Sequence, residues 1–111
     1  MIYHITSQIQ WQQAQLIGHY ESVHFKSEGF IHASTSVQVE ATANRIFKAH
    51  TDLILLAIDE NLLNCEVIFE NLDGGNELYP HIYGLLPVSA VITTYDIDLN
   101  DNGYLTVNWT E

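Results

Sequence analysis

Two short segments of the chain combine histidine with hydroxyl-bearing side chains at spacings that suit a binding or catalytic site. The first is the segment 30–35, with the sequence Phe-Ile-His-Ala-Ser-Thr. Alternate side chains of a strand share a face, so His32 and Ser34 would lie on one face. Ile31 and Ala33 would point the other way, into the core. His32 would then be a hydrogen-bond partner for a ligand or an acid–base group. The alternative is a structural histidine that satisfies a backbone carbonyl, with Ser34 assisting a helix cap.

The second segment, 79–87, has the sequence Tyr-Pro-His-Ile-Tyr-Gly-Leu-Leu-Pro. In an extended chain His81 and Tyr83 share a face, and Ile82 points inward. Its prolines and glycine are typical of a shaped loop rather than a plain strand. Aromatic and imidazole groups on such a loop suit the wall of a ligand pocket. The alternative is a tyrosine and a histidine whose hydrogen bonds only fix the loop.

A third candidate is Glu70, which ends a predicted strand with a phase opposite to Val67 and Phe69. A carboxylate there could act as a general base or orient a histidine. The alternative is a surface glutamate. Catalytic roles are therefore assigned to Glu70 and His32, and ligand contacts to His32, Ser34, His81 and Tyr83.

No metal site is predicted, although the chain has six histidines. None of them has the H-E-x-x-H spacing or the paired Cys/His spacing of zinc sites. A facial set of His32, His81 and Glu70 is the one alternative. The chain also lacks a phosphate-binding loop, a nucleophile elbow and a dinucleotide fingerprint.

The elements that must position these residues begin with a strand over residues 2–5 and a helix over 8–17. Ser7 with Gln10 forms a capping-box pattern, and Gly18 is a common helix stop. A strand over 29–34 leads to a second helix with Thr35 as N-cap and Gln38 at its third position. Apolar residues recur on one face of that helix, at the positions Val39, Ala43, Ile46 and Phe47.

Strands dominate the rest of the chain. Residues 53–58 are a continuous apolar run, which predicts a central strand covered on both faces. An alternating strand follows over 65–70, and a turn over 73–76. The segments 90–97 and 104–109 flank Asn102-Gly103 and predict a hairpin. The fold class is therefore α+β, with two N-terminal helices packed on a mostly antiparallel sheet, and residues 1–111 form a single domain.

The charge balance restricts the partners. Fourteen acidic side chains oppose three basic ones, for a net charge of −11. Nucleic acids and anionic membranes are therefore poor partners, and a small molecule is the expected one. A ligand phosphate would need backbone N–H groups, histidines or Arg45. The lone Cys65 and the absence of a signal-peptide pattern or a long apolar run predict a cytoplasmic protein. The oligomeric state stays open.

The whole pattern resembles the bacterial domain-of-unknown-function family numbered 952, from about Tyr3 to Val91. The resemblance is carried by the segments 28–35, 53–59 and 79–87, together with Gln38 and Glu70. That family is grouped with ADP-ribosyltransferase-like folds, which implies such a fold here and makes NAD a candidate cofactor.

In the diphtheria-toxin-like branch of that group, a His-Gly-Ser or His-Gly-Thr strand holds the nicotinamide–ribose end of NAD. The run His32-Ala33-Ser34 is similar to this motif, with alanine in place of glycine. A catalytic glutamate follows on a later strand, and Glu70 matches it. The stacking tyrosine that should lie between them has no match, because Tyr83 comes after Glu70.

Two functions stay open. The first is a small-ligand-binding domain with a polar pocket formed by His32, Ser34, His81 and Tyr83. The second is a transferase dependent on NAD or ADP-ribose. In that case His32 would hold a ribose hydroxyl, and Glu70 would stabilise positive charge that develops at the anomeric carbon. Catalysis requires His32 and Glu70 to reach one substrate atom.

Overall fold

A four-stranded antiparallel sheet forms the centre of the protein. The computed structural model describes residues 1–72 and 74–110. The order of the strands is β1 (Ile2–Ser7), β4 (Leu53–Ile58), β8 (Val91–Leu99) and β9 (Leu105–Val107). Every residue of β4 is buried, because β1 and β8 flank it and both of its faces are covered. The predicted central strand and C-terminal hairpin are confirmed.

The first helix also agrees with its sequence signals. Helix α1 spans Gln8–Ile17, and Ser7 Oγ accepts a hydrogen bond from the Gln10 backbone N–H at 3.1 Å. It ends at Gly18, which has a φ of 102° in the left-handed region that favours glycine. The Gly18 N–H donates to the Ala14 carbonyl at 2.7 Å.

The remaining helices correct the prediction of two helices. A short helix, α2 (Phe25–Glu28), lies between them, and α3 spans Val39–Ile46. Thr35 is not the N-cap of α3. Residues 35–38 form a separate turn, in which the Thr35 N–H donates to Gln38 Oε1 at 2.9 Å. The Gln38 amide also donates to Glu77 and to the Leu78 carbonyl. These bonds hold the turn against the segment that precedes β6.

The strands do not form one sheet. A three-stranded antiparallel sheet has the order β3 (Ile31–His32), β6 (Tyr79–Ile82) and β5 (Val67–Glu70). A small ribbon pairs β2 (His19–Tyr20) with β7 (Leu86–Pro87). The predicted strand over 29–34 is thus only two residues long, because Ser34 leaves β6 to bridge Tyr3 of β1.

The core lies on both faces of the four-stranded sheet. One face packs against α1 and the three-stranded sheet, through Ile54, Leu56, Trp11 and Ile82. The other face packs against α3, through Leu55, Ile97, Val39 and Ala43. This arrangement leaves β1 at the margin between the two sheets.

Helix α3 also covers the outer edge of β9. The Asn44 amide donates to the Leu105 carbonyl at 2.9 Å, and its oxygen accepts from the Leu105 N–H at 2.6 Å. Glu40 accepts from the Val107 N–H at 2.8 Å. These bonds satisfy edge groups that would otherwise be open to another strand.

Part of the predicted turn over 73–76 lies outside the described residues, since Asp73 is not among them. No helix of the described chain is both long and apolar enough to cross a membrane.

Candidate functional site

A cleft of ≈ 710 Å³ opens at the margin between the two larger sheets. Its walls are β1, the second half of α3, and the strands β3, β5 and β6. Its volume lies in the range of small-molecule sites. Five of the six histidines line it: His4, His24, His32, His50 and His81.

One group in the cleft joins Glu70, His81 and Tyr83. His81 Nδ1 lies 3.1 Å from Glu70 Oε1, and the Tyr83 hydroxyl donates to the same oxygen. Strand pairing explains this convergence: Glu70 lies opposite Tyr79 and Ile68 lies opposite His81, so all four side chains share one face. The bonds from Tyr83 and then His81 lower the pKa of Glu70, and the same carboxylate raises the pKa of Tyr83. Glu70 is therefore an ionised acceptor at neutral pH.

The bond to Glu70 also fixes the tautomer of His81. A carboxylate only accepts, so Nδ1 carries a proton, and in the neutral tautomer Nε2 presents a lone pair. The side chain of His81 is 5% exposed. In the described chain Nε2 has no protein partner, yet no fully buried polar side-chain atom is left unpaired. Nε2 is therefore open to the cleft that His81 lines, as an oriented acceptor or base.

Phe30 holds the His81 ring in place. The two rings are stacked, with centroids 4.2 Å apart and an angle of 19° between their planes. The Tyr83 ring packs beside the Phe30 ring, with centroids 5.3 Å apart. The loop that carries Tyr83 passes close to Cys65. This approach requires Gly84, because a Cβ there would lie 2.7 Å from the Cβ of Cys65.

His32 and Ser34 both line the cleft, but in different environments. The His32 side chain is 57% exposed, and its Nε2 lies 3.1 Å from Glu28 Oε1. The His32 and His81 rings meet edge to face, with centroids 5.2 Å apart. Ser34 is buried, with Oγ 3.5 Å from the Thr42 hydroxyl.

The five predicted site residues therefore come together, with one difference in role. His32, Ser34, Glu70 and His81 line one cleft. Tyr83 is not among the described residues that line it, and contacts it through its bond to Glu70.

Sequence reasoning missed a chain of hydrogen-bonded polar groups in the wall of the cleft. His4 Nδ1 donates to the His32 carbonyl at 2.5 Å, and Nε2 lies 2.9 Å from the Tyr20 hydroxyl. That hydroxyl lies 2.9 Å from Thr6 Oγ1, which in turn bonds to Gln10. Burial lowers the pKa of His4 to about 4, so His4 is neutral at pH 7. The signal was two polar residues, His4 and Thr6, at alternate positions of an apolar strand.

Arg45 and Tyr79 were also not assigned to the site. The Arg45 guanidinium carbon lies 5.7 Å from the centre of the Tyr79 ring, and both residues line the cleft. Arg45 is the only lysine or arginine that lines the cleft in the described part of the chain.

The described residues contain no group of three or more histidine, cysteine or acidic side chains that could hold a metal ion. His32, His81 and Glu70 share the cleft, but they do not form such a group. The contacts of the site are instead hydrogen bonds and ring packing.

Relatives with known structures share this fold. The crystal structure of protein CC0527 from Caulobacter crescentus aligns with a TM-score of 0.84 and 35% identity, over 95% of this chain and 92% of that one. The solution NMR structure of CC0527 aligns with a TM-score of 0.81 and 36% identity, over 93% and 89%. No curated protein matches the chain. The family model described as "Protein of unknown function (DUF952)" matches residues 5–94. The chain therefore belongs to the DUF952 family, as the motifs around residues 28–35 and 79–87 predict.

Proposed function

We propose that the chain is a small-ligand-binding domain, and that its ligand occupies the cleft and donates hydrogen bonds to His81 Nε2 and Glu70. The observation that carries this proposal is a histidine that is almost fully buried and has an unpartnered acceptor facing a cleft of ≈ 710 Å³. An acceptor that the fold leaves open on an otherwise buried ring is satisfied by water or by a ligand in the cleft.

The chemistry of the wall defines the kind of ligand. Glu70 and His81 present acceptors. In the described chain both of the bonds that Glu70 receives end on Oε1, which leaves Oε2 available. Phe30 and Tyr79 provide aromatic surface beside them. A planar molecule with N–H or O–H donors, neutral or cationic at this end, satisfies these groups.

The charge of the protein supports a small molecule over a polymer as its partner. A net charge of −11 repels nucleic acids and anionic membranes. A cytoplasmic location belongs to the same proposal, supported by the free thiol of Cys65.

An amide NMR titration with nicotinamide, used as a planar amide probe, tests the proposal. We expect saturable shifts at His32, His81 and Tyr83 that are lost in Glu70→Gln. This change keeps the size of the side chain but removes its charge. Glu66→Gln is the matched control, since Glu66 is an exposed acidic residue nearby that does not line the cleft. Equal shifts in both variants, or no shifts at millimolar nicotinamide, would overturn the proposal.

The second candidate is a transferase dependent on NAD or ADP-ribose, with an ADP-ribosyltransferase-like fold. One observation favours it: His32 and Glu70 line the same cleft, and the rings of His32 and His81 are in contact. His32 would hold a ribose hydroxyl, and Glu70 would stabilise positive charge at the anomeric carbon.

The residues fit only part of NAD. His32, Ser34 and Glu70 offer hydrogen bonds to the nicotinamide–ribose end. The pyrophosphate fits poorly, because Arg45 is the only full cation lining the cleft in the described chain. Nicotinamide release from NAD, absent in Glu70→Gln and retained in Glu66→Gln, would establish turnover. Binding without release would leave the binding domain as the function.

A further inference from the structure

We propose that Arg45 forms a carboxylate-binding subsite at one end of the cleft, so that the ligand carries a single carboxylate as well as the donor group that faces Glu70. This inference rests on the proposed function and extends it. The ligand class that follows is a small bipolar molecule, with its carboxylate and its donor group joined by a planar segment.

The first observation is that Arg45 has no acidic partner among the described residues. The chain has fourteen acidic side chains and three basic ones, so a surface arginine has many potential partners. The ion pairs of the described residues nevertheless involve only the N-terminus, His32 and His81. Lys26 and Lys48 also lack an ion pair in the described chain, so what distinguishes Arg45 is its place on the wall of the cleft.

The second observation is the way in which Tyr79 holds Arg45. The guanidinium lies 5.7 Å from the Tyr79 ring centre, within the range of a cation–π contact. A cation–π contact does not use up the N–H donors of the guanidinium. No hydrogen bond of the described chain uses those donors. Arg45 is thus an exposed side chain that contacts Tyr79 and whose directional donors have no partner in the described chain.

The third observation is that Tyr79 links Arg45 to the Glu70 end. Tyr79 lies directly opposite Glu70 in the pairing of β5 with β6, so their Cβ atoms are about 5 Å apart. Arg45 contacts the Tyr79 ring and Glu70 lies opposite Tyr79 in the strand pair, yet Arg45 and Glu70 form no ion pair with each other in the described chain. A ligand built on one ring can reach both charges.

The surroundings favour a carboxylate over a phosphate. One guanidinium makes two parallel hydrogen bonds with one carboxylate and neutralises its single charge. Glu28, Asp52 and Glu70 also line the cleft and would repel a dianion more strongly. We therefore assign the subsite to a monoanionic carboxylate.

A matched pair of probes tests the subsite. The probes are para-aminomethylbenzoate and para-aminomethylbenzamide, which share the ring and the amine and differ only in the carboxylate. Dissociation constants come from amide NMR titrations of the full chain. We expect the benzoate to bind wild-type protein about tenfold more tightly than the benzamide. Arg45→Gln should abolish this preference. Lys48→Gln, which removes the same charge outside the cleft, should retain it.

The outcomes separate this inference from the proposed function. If both probes bind the wild-type cleft equally well, or if Arg45→Gln keeps the preference, the carboxylate subsite is overturned and ligand binding at Glu70 and His81 stands. If neither probe shifts the resonances of the cleft, the subsite is overturned as well, and the nicotinamide titration decides on the proposed function. If Lys48→Gln loses the preference as fully as Arg45→Gln, the effect is one of net charge, and the subsite is overturned.

Discussion

The two larger sheets of this protein differ in how their residues are used. Three strands of the four-stranded sheet have six to nine residues, and each residue of its central strand, Leu53–Ile58, is buried and apolar. The strands of the three-stranded sheet have two to four residues, and its cleft-facing side carries His32, Glu70, Tyr79 and His81. The first sheet supplies most of the core, and the second supplies the central polar groups of the proposed site. Substitutions should therefore alter folding stability in the first sheet and binding in the second.

The largest effect that this comparison predicts is the loss of core packing at Leu56. Leu56 is fully buried in β4, in the core cluster that packs against helix α1. Leu56→Ala should lower the free energy of unfolding by about 3 kcal/mol, from lost burial and the cavity left behind. Urea unfolding measures this change. Ile68→Ala, in the three-stranded sheet and 38% exposed, should lower it much less. Equal losses would contradict the division between the sheets.

The second effect concerns His4, which lies where the two sheets meet. Burial lowers its pKa from 6.5 to about 4, so between these values the unfolded chain binds a proton that the folded chain does not. Stability is therefore complete at neutral pH and falls as the pH drops below about 6.5. From pH 7.5 to about pH 5 the loss due to His4 should be about 2 kcal/mol.

The pH dependence of a variant isolates this contribution. His4→Gln removes the titrating ring, so its unfolding free energy should fall less over the same pH interval than that of wild type. His19→Gln is the control, because His19 is exposed and does not line the cleft. Wild-type and His4→Gln curves that run parallel would show that His4 is not held neutral.

The third effect is at the edge that α3 covers. Asn44→Ala removes two hydrogen bonds to the backbone of Leu105. We expect a loss of about 1–2 kcal/mol in unfolding free energy, with faster amide exchange at Leu105. Asn64→Ala, at an exposed position, should change neither quantity. An unchanged exchange rate at Leu105 would mean that α3 does not protect this edge.

The same difference between the sheets explains what could be predicted from the sequence. The central strand and the C-terminal hairpin could be predicted because a short apolar run between turn residues and an alternating run are both typical of strands. Helix α1 is readable because Ser7 and Gly18 mark its ends locally. These signals lie within short stretches of the chain.

The site is only partly readable, because distant residues complete it. Glu70, His81 and His32 could be named from their motifs, but the bond from His81 to Glu70 depends on the register of β5 and β6. His4 looked like an ordinary strand residue, since its partners, Tyr20 and the His32 carbonyl, are far away in the chain. The start of α3 was misplaced because Gln38 bonds to Glu77 and Leu78 across the fold.

The smallest effect on stability, and the sharpest test of the second sheet, is at Tyr83. Its hydroxyl donates to Glu70 and is the largest contribution that lowers the pKa of that carboxyl. Tyr83→Phe should therefore raise the pKa of Glu70 toward its ordinary value, while the bond from His81 retains part of the lowering. Carbon-detected NMR of the side-chain carboxyl across a pH titration measures this directly. Tyr104→Phe is the control, because Tyr104 is exposed and lies away from the cleft.

The affinity for a donor ligand should fall when Glu70 becomes protonated. At neutral pH Glu70 remains ionised in Tyr83→Phe, so binding of a donor ligand should weaken only through looser positioning of the carboxylate. At mildly acidic pH the variant should lose affinity at a higher pH than wild type, because its Glu70 is protonated sooner. A pKa for Glu70 that is unchanged by Tyr83→Phe would show that His81 alone holds the carboxylate. The acceptor pair that faces the ligand would then consist of two residues on adjacent strands, without support from the loop that carries Tyr83.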